Sequence, residues 1–164
     1  MSDYLVYDVF TREPFGGNPL AIVPDATGLQ ESQLQSIARE FNFSETTFVF
    51  PPINRGSTAR VRIFTPTMEI PFSGHPTIGT AIALSDLGRG GPEMVLDLGV
   101  GPIPVSVSGT QAEFTTHVPL KTWPGPTVSE IADSISLADA NIRTDRHLPA
   151  IASVGLPFAI AELE

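Results

Sequence analysis

From Tyr4 to Phe10 apolar and polar positions alternate in a stretch rich in valine, leucine and aromatic residues, the period of a half-buried strand. TREPFGGNP (Thr11–Pro19) reads as a turn, and LAIVP after it as a short second strand. In ESQLQSIAREFN, Leu34, Ile37, Ala38 and Phe41 recur at helical spacing, which predicts a helix with one apolar face. TTFVF and TARVRIFTP predict two further strands; in the second, Ala59, Val61 and Ile63 alternate with Arg60 and Arg62, so one face is apolar and the other wet. A helix over Pro76–Leu87 follows, closed by Gly88, and then three strands in MVLDLG, PVSVSG and AEFTTHV. Thr127, with Glu130 three residues on, forms a capping box for a third helix in TVSEIADSISL. Two apolar runs, LPAIASVG and PFAIAEL, end the sequence. No linker, low-complexity tract or internal repeat interrupts these elements.

The Pro76–Leu87 helix breaks the amphipathic rule. Ile78, Ala81, Ile82, Ala83 and Leu84 fall on nearly all its sides, and a helix that is apolar all round has to be buried all round. Among so many short strands, the economical solution is an α+β domain in which a barrel-like curved sheet wraps the helix. Gly79, Ala81 and Ala83 would let the strands approach closely. A helix sandwiched between two layers satisfies the same pattern.

Composition narrows the function. The chain has 164 residues, 41% hydrophobic and 16% charged, enough for a folded domain with a real core. Nine basic residues stand against eighteen acidic ones, a net charge of −9 with no basic stripe, which argues against nucleic-acid binding. The absence of cysteine excludes disulfides, thiolate catalysis and cysteine metal sites. His117 and His147 have no partner at ligand spacing, so no metal site is expected. No nucleotide-binding glycine pattern occurs. The N-terminus lacks the pattern of a signal peptide, and no apolar run approaches the roughly 20 residues of a membrane span. A soluble cytoplasmic protein is the expectation.

Two stretches can carry chemistry. In FSGHPTIGTA (Phe72–Ala81), Pro76 suits the first turn of a helix, which places the cap near Gly74 or His75. A first turn leaves N–H groups free and carries partial positive charge, and Gly74 lets a ligand approach the backbone. Ser73, Gly74 and His75 can thus cradle a carboxylate, and an acidic chain can hold an acidic substrate through a local dipole. The same residues also read simply as the cap of a buried helix. In FNFSETTFVF, Glu45 lies beside Phe41, Phe43 and Phe48, where desolvation would suit a carboxyl to proton transfer near neutrality. It reads equally as a solvated glutamate at a strand start. Asp8 fits an outward strand residue or a supporting partner, Asn18 a turn residue, and Glu69 a solvated turn acid.

The order GNPLAIV, SETTFV, RIFTP, IPFSGHPTIGTA and VGLPFAIAEL resembles the PhzF-like phenazine-biosynthesis isomerase family from Tyr4 to about Leu163. Ser73 stands where alanine is common. The resemblance implies the fold of diaminopimelate epimerase, in which two similar domains each wrap a sheet around a central helix. It implies that Glu45 is the acid/base and that Gly74 and His75 bind substrate. The paired cysteines of the epimerase relatives are missing, so their two-thiol chemistry does not carry over. Family members run to roughly twice a domain of this size. Residues 1–164 are therefore expected to form the N-terminal domain of a two-domain protein, with the second domain absent from this chain.

These readings combine into an isomerase half-site. It would move a proton on a small carboxylated metabolite without a cofactor and would be inactive until the missing domain completes it. The alternative is a non-catalytic half that binds a small acid or assembles with another chain. Neither reading involves nucleic acid or membrane, and both expect a homo-oligomer or pairing with a chain that carries the C-terminal half, with Phe72 and the residues after Val154 near the contact.

Overall fold

Alternation and helical spacing become thirteen strands and three α-helices in a computed structural model that describes residues 3–117 and 119–164. The chain divides into two compact units, Met1–His117 and Val118–Glu164.

The first unit holds β1 (Leu5–Val9), β2 (Asn18–Val23), α1 (Glu31–Phe41), β3 (Glu45–Phe50), β4 (Ala59–Phe64), β5 (Glu69–Ile70), α2 (Gly74–Asp86), β6 (Glu93–Leu98), β7 (Gly101–Ser108) and β8 (Gln111–Phe114). One sheet runs β1-β2-β3-β4-β6-β7-β8, with β5 paired to β4. β2–β3 and β4–β6 are parallel, joined by crossovers through α1 and α2; the other pairs are antiparallel. Both end strands, β1 and β8, pack against α2, so the sheet curls into a half-barrel around that helix. The alternative of a helix between two flat layers is excluded.

Close approach to α2 depends on its small residues. A Cβ on Gly79 would lie 2.6 Å from Leu20 Cδ2 and 2.8 Å from Val9 Cγ2, so only glycine fits there. Ala81, Ala83 and Leu84 are buried. The enclosure is incomplete: Ile78 and Ile82 are half-buried and floor a groove of about 890 Å³ between β1 and β8. The helix stops where Leu87 caps it and Gly88 takes φ +65°, a conformation that glycine adopts without strain.

Several sequence expectations are corrected. Arg62 is not wet: it is half-buried and binds Glu31 at the start of α1 at 2.6 Å and Glu69 at 2.5 Å. Glu69 is accordingly an ion-paired strand residue. The strand expected in AEFTTHV ends at Phe114; the residues after it to His117 are irregular, and Val118 lies outside the described residues. Phe72 is buried in the first unit, packed edge-on against Phe114 at 5.5 Å between ring centroids.

The second unit contains β9 (Lys121–Pro124), α3 (Val128–Ser134), β10 (Ile142–Arg143), β11 (Ala150–Ser153), β12 (Pro157–Ile160) and β13 (Glu162–Leu163). The expected capping box is present: Thr127 Oγ1 accepts from the Glu130 amide, and Glu130 accepts from the Thr127 amide. A small core of Ile131, Ala132 and Ile142 lies beneath the helix. None of the described helices is long and apolar enough to cross a membrane.

One buried charge pins the first unit. Asp97 on β6 lies just under the surface, sealed by the 51–58 loop: its carboxylate accepts from the Ile53 and Asn54 amides, Asn54 Nδ2 and Ser57 Oγ. Burial alone would push its pKa up, but these bonds outweigh it and hold the carboxyl below the ordinary range. The depressed pKa means that stability is present above the unfolded value near 3.9 and is lost as pH falls through the folded one. Asp97→Asn should cost about 2 kcal/mol at pH 7 and should flatten the loss of stability below about pH 4, as read by urea unfolding at pH 7 and pH 3. An unchanged acid limb would show that the loop does not depend on the charge.

Candidate active site

The parallel register of β2 and β3 sets Leu20 opposite Glu45, the first residue of β3. The side chains of β3 alternate. Thr47 faces α2, where its hydroxyl bonds that of Thr80 at 2.9 Å, while Phe48 faces the opposite core beneath α1. Glu45 shares the α2 face with Thr47. The desolvation expected from Phe41, Phe43 and Phe48 therefore has another source. Phe48 packs on Phe64, and Phe41 stacks on Phe43; α2 itself covers Glu45, whose side chain is only 12% exposed.

The cap of α2 is Ser73, one position before Gly74 and two before His75, where it was expected. Its side chain makes no capping bond; Oγ instead donates to Glu45 Oε1 at 3.0 Å. His75 Nδ1 lies 3.3 Å from Glu45 Oε2. The fold thus brings Glu45, Ser73 and His75 into contact across 28 residues of sequence, with Gly74 between the last two. A Cβ on Gly74 would make only ordinary contact with the Phe114 ring, at 3.7 Å. The protein itself does not need glycine there, whereas a ligand approaching the amide would.

Two atoms of this cluster are buried without a hydrogen-bond partner: Glu45 Oε2 and His75 Nε2. The Pro19 carbonyl bears on the imidazole but does not meet hydrogen-bond geometry with Nε2. Buried polar atoms are seldom left unpaired in a folded protein, so an orphaned carboxylate oxygen and imidazole nitrogen at a helix mouth point to a ligand. By contrast, the larger groove beside Ile78 touches none of these residues. Among the described residues no group of side chains is placed to hold a metal ion.

Two residues that the sequence leaves open, Asn18 and Asp8, find specific partners. Asn18 is the first residue of β2, not merely a turn residue, and its Oδ1 accepts from Ser44 Oγ at 2.9 Å, tying β2 to the residue before Glu45. Asp8 accepts from the Phe15 amide at 2.8 Å and so pins the β1–β2 connection.

Burial pushes the His75 pKa below its ordinary value, against the upward pull of the Glu45 carboxylate and the Pro19 carbonyl. Burial thus favours the neutral imidazole over the charged one. Below pH 6.5 the unfolded chain takes up a proton that the folded chain resists, so stability declines from that pH down to the folded pKa and is unaffected above it. Glu45→Gln removes the carboxylate and should move the His75 titration further down. Imidazole NMR on labelled chain measures this, and an upward move would contradict the arrangement.

The Phenazine biosynthesis-like protein family matches residues 7–164. An uncharacterized isomerase of Mesorhizobium japonicum is 43% identical over 99% of this chain and 57% of its own length. A trans-2,3-dihydro-3-hydroxyanthranilate isomerase of Pseudomonas fluorescens is 37% identical over 96% of the chain and 58% of its length. The chain thus spans less than three fifths of these relatives. The crystal structure of a PhzF-family phenazine biosynthesis protein of Bacillus anthracis superposes with TM-score 0.82 at 28% identity, over 98% of this chain and 55% of that one. In fold alone, a probable proline racemase of Agrobacterium radiobacter is also similar, with TM-score 0.60 at 13% identity over 89% of this chain and 49% of that one.

Proposed function

Because the chain belongs to the phenazine biosynthesis-like family, whose relatives include isomerases, we propose that it carries the proton-transfer half of an isomerase acting on a small carboxylated ring metabolite. The observation that carries this reading is the buried, unpaired Glu45 Oε2 beside His75 at the mouth of α2.

In this reading Glu45 takes a proton from a carbon conjugated with the substrate's carboxylate. The electron pair of that C–H bond spreads into the conjugated system, and the same carboxyl returns the proton to another carbon. The substrate is both donor and acceptor, so nothing is oxidised or reduced. Ser73 holds Oε1 and leaves Oε2 to work. The amides of Gly74 and His75, at the positive end of a 13-residue helix, oppose the substrate carboxylate and the charge that builds on it. His75, in the neutral form that burial favours, adds a hydrogen-bonding group rather than a fixed charge. The further length of the relatives supplies the opposite wall of the site, in the same chain or from another.

The test is incubation of a complete protein containing this half with a dihydro-hydroxyanthranilate in heavy water, following deuterium uptake and isomer ratio by mass spectrometry. Isomerisation without any dependence on Glu45 defeats the reading. The apolar side chains exposed in the second unit, Phe158 and Ile160 among them, favour a second possibility for this chain by itself, a non-catalytic half that binds small acids and pairs with another chain. Carboxylate binding without deuterium uptake, even in the completed protein, would select it.

A further inference from the structure

We propose that Phe10 is a substrate-binding residue of this site, an aromatic wall held ready beside His75 for the face of a flat ring acid. The proposal rests on the reading of the α2 mouth as a carboxylate site.

Phe10, the residue after β1, has φ +66°, a backbone region that bulky L side chains rarely adopt, and it is 75% exposed. No burial among the described residues compensates for that conformation. Phe15, in the same connection, repeats the pattern with φ +64° and 96% exposure. Strained backbone that presents exposed aromatics marks a functional position rather than a packing solution.

The connection is also rigid. Asp8 Oδ2 accepts from the Phe15 amide at 2.8 Å, Thr11 Oγ1 from the Glu13 amide at 3.0 Å, and the Glu13 carbonyl from the Gly16 amide at 3.1 Å. A Cβ on Gly17 would lie 2.5 Å from the Val9 carbonyl oxygen, so the return strand presses directly on β1. These bonds hold the backbone of the connection that carries Phe10.

Its placement fits the role. The Phe10 ring centroid is 6.5 Å from that of His75, tilted by 58°. The unpaired His75 Nε2 and Glu45 Oε2 belong to the same cluster. Phe10 also lines the groove over Ile78 and Gly79, so its ring stands between that groove and the helix mouth that holds His75. A ring acid with its carboxylate at the α2 mouth would turn its ring toward Phe10, and acetate has no ring to offer it.

Benzoate and acetate serve as probes on this chain at constant pH, with the Gly74 amide and His75 imidazole followed by NMR. Benzoate should bind about tenfold tighter than acetate to the parent, the scale of one aromatic contact. Phe10→Gly should erase that preference and leave acetate affinity unchanged, and Phe10→Tyr should retain it. Glycine takes φ +66° without strain, so Phe10→Gly should melt no lower than the parent. A Phe10→Gly chain that melts several degrees lower, or keeps its benzoate preference, overturns the proposal. If neither acid perturbs Gly74 or His75 in the parent, the carboxylate reading of α2 falls and the role of Phe10 falls with it. If both acids bind equally, only the role of Phe10 fails.

Discussion

Glutamine in place of Glu45 should slow isomerisation of a ring acid by about 10²–10⁴-fold, roughly 3–5 kcal/mol of barrier, with ligand binding nearly intact. The two side chains have nearly the same shape. The amide can still accept from Ser73 Oγ through its oxygen, so the link to the α2 cap survives. What disappears is the carboxyl's capacity to take up and return a proton. Deuterium uptake by the substrate should therefore vanish together with turnover. His75→Ala separates binding from chemistry, because it empties the helix mouth and should weaken binding as well. The measurement is kcat and KM for both variants in the completed protein, beside isotope uptake. Turnover by Glu45→Gln at the parent rate would reduce Glu45 to a strand-start residue and Ser73 to its neighbour.

The fold should be most sensitive at Gly79. Valine there would drive three extra carbons into the space already held by Val9 Cγ2 and Leu20 Cδ2, both under 3 Å from a Cβ at that position. Overpacking of this kind costs about 1–3 kcal/mol, and the β-branch inside a helix adds to it. The expected total is about 3 kcal/mol, a large fraction of the stability of a domain this size. Denaturant unfolding and soluble yield read the effect. Leu20→Ala in the same chain opens room on one side and should recover part of the loss, so the two changes together should cost less than their sum. Strict additivity would mean that α2 moves away from β1 and β2 instead of pressing on them.

The buried helix and the curl around it were legible in the sequence because α2 has no polar face, and that constraint leaves few packings. α1 was equally plain, since its apolar stripe is one-sided. The partners of charged residues were not legible. Arg62 reads as solvent-facing from alternation alone, yet α1 begins over its face and β5 folds back beside it, so two glutamates reach it. The cover over Glu45 is not legible either: its phenylalanine neighbours in sequence lie elsewhere, and a helix nearly thirty residues away buries it. The turn chemistry of TREPFGGNP was visible, but not that Phe10 and Phe15 would hold positive φ, because nothing in a phenylalanine signals that conformation.

The order of strands across the first unit has a kinetic meaning. It follows the order of the chain except for β5, so most pairings close short loops and form early. Only the parallel pairs, β2–β3 and β4–β6, must wait for a helix to be laid across the sheet. Glu45 belongs to the first of these crossovers and Ser73 to the second, and their hydrogen bond joins the two. Hairpins such as β6–β7 and β7–β8 are thus expected to form before Glu45 and Ser73 meet. The environment of His75, which lies beside Glu45, should therefore change in refolding only when the two crossovers meet.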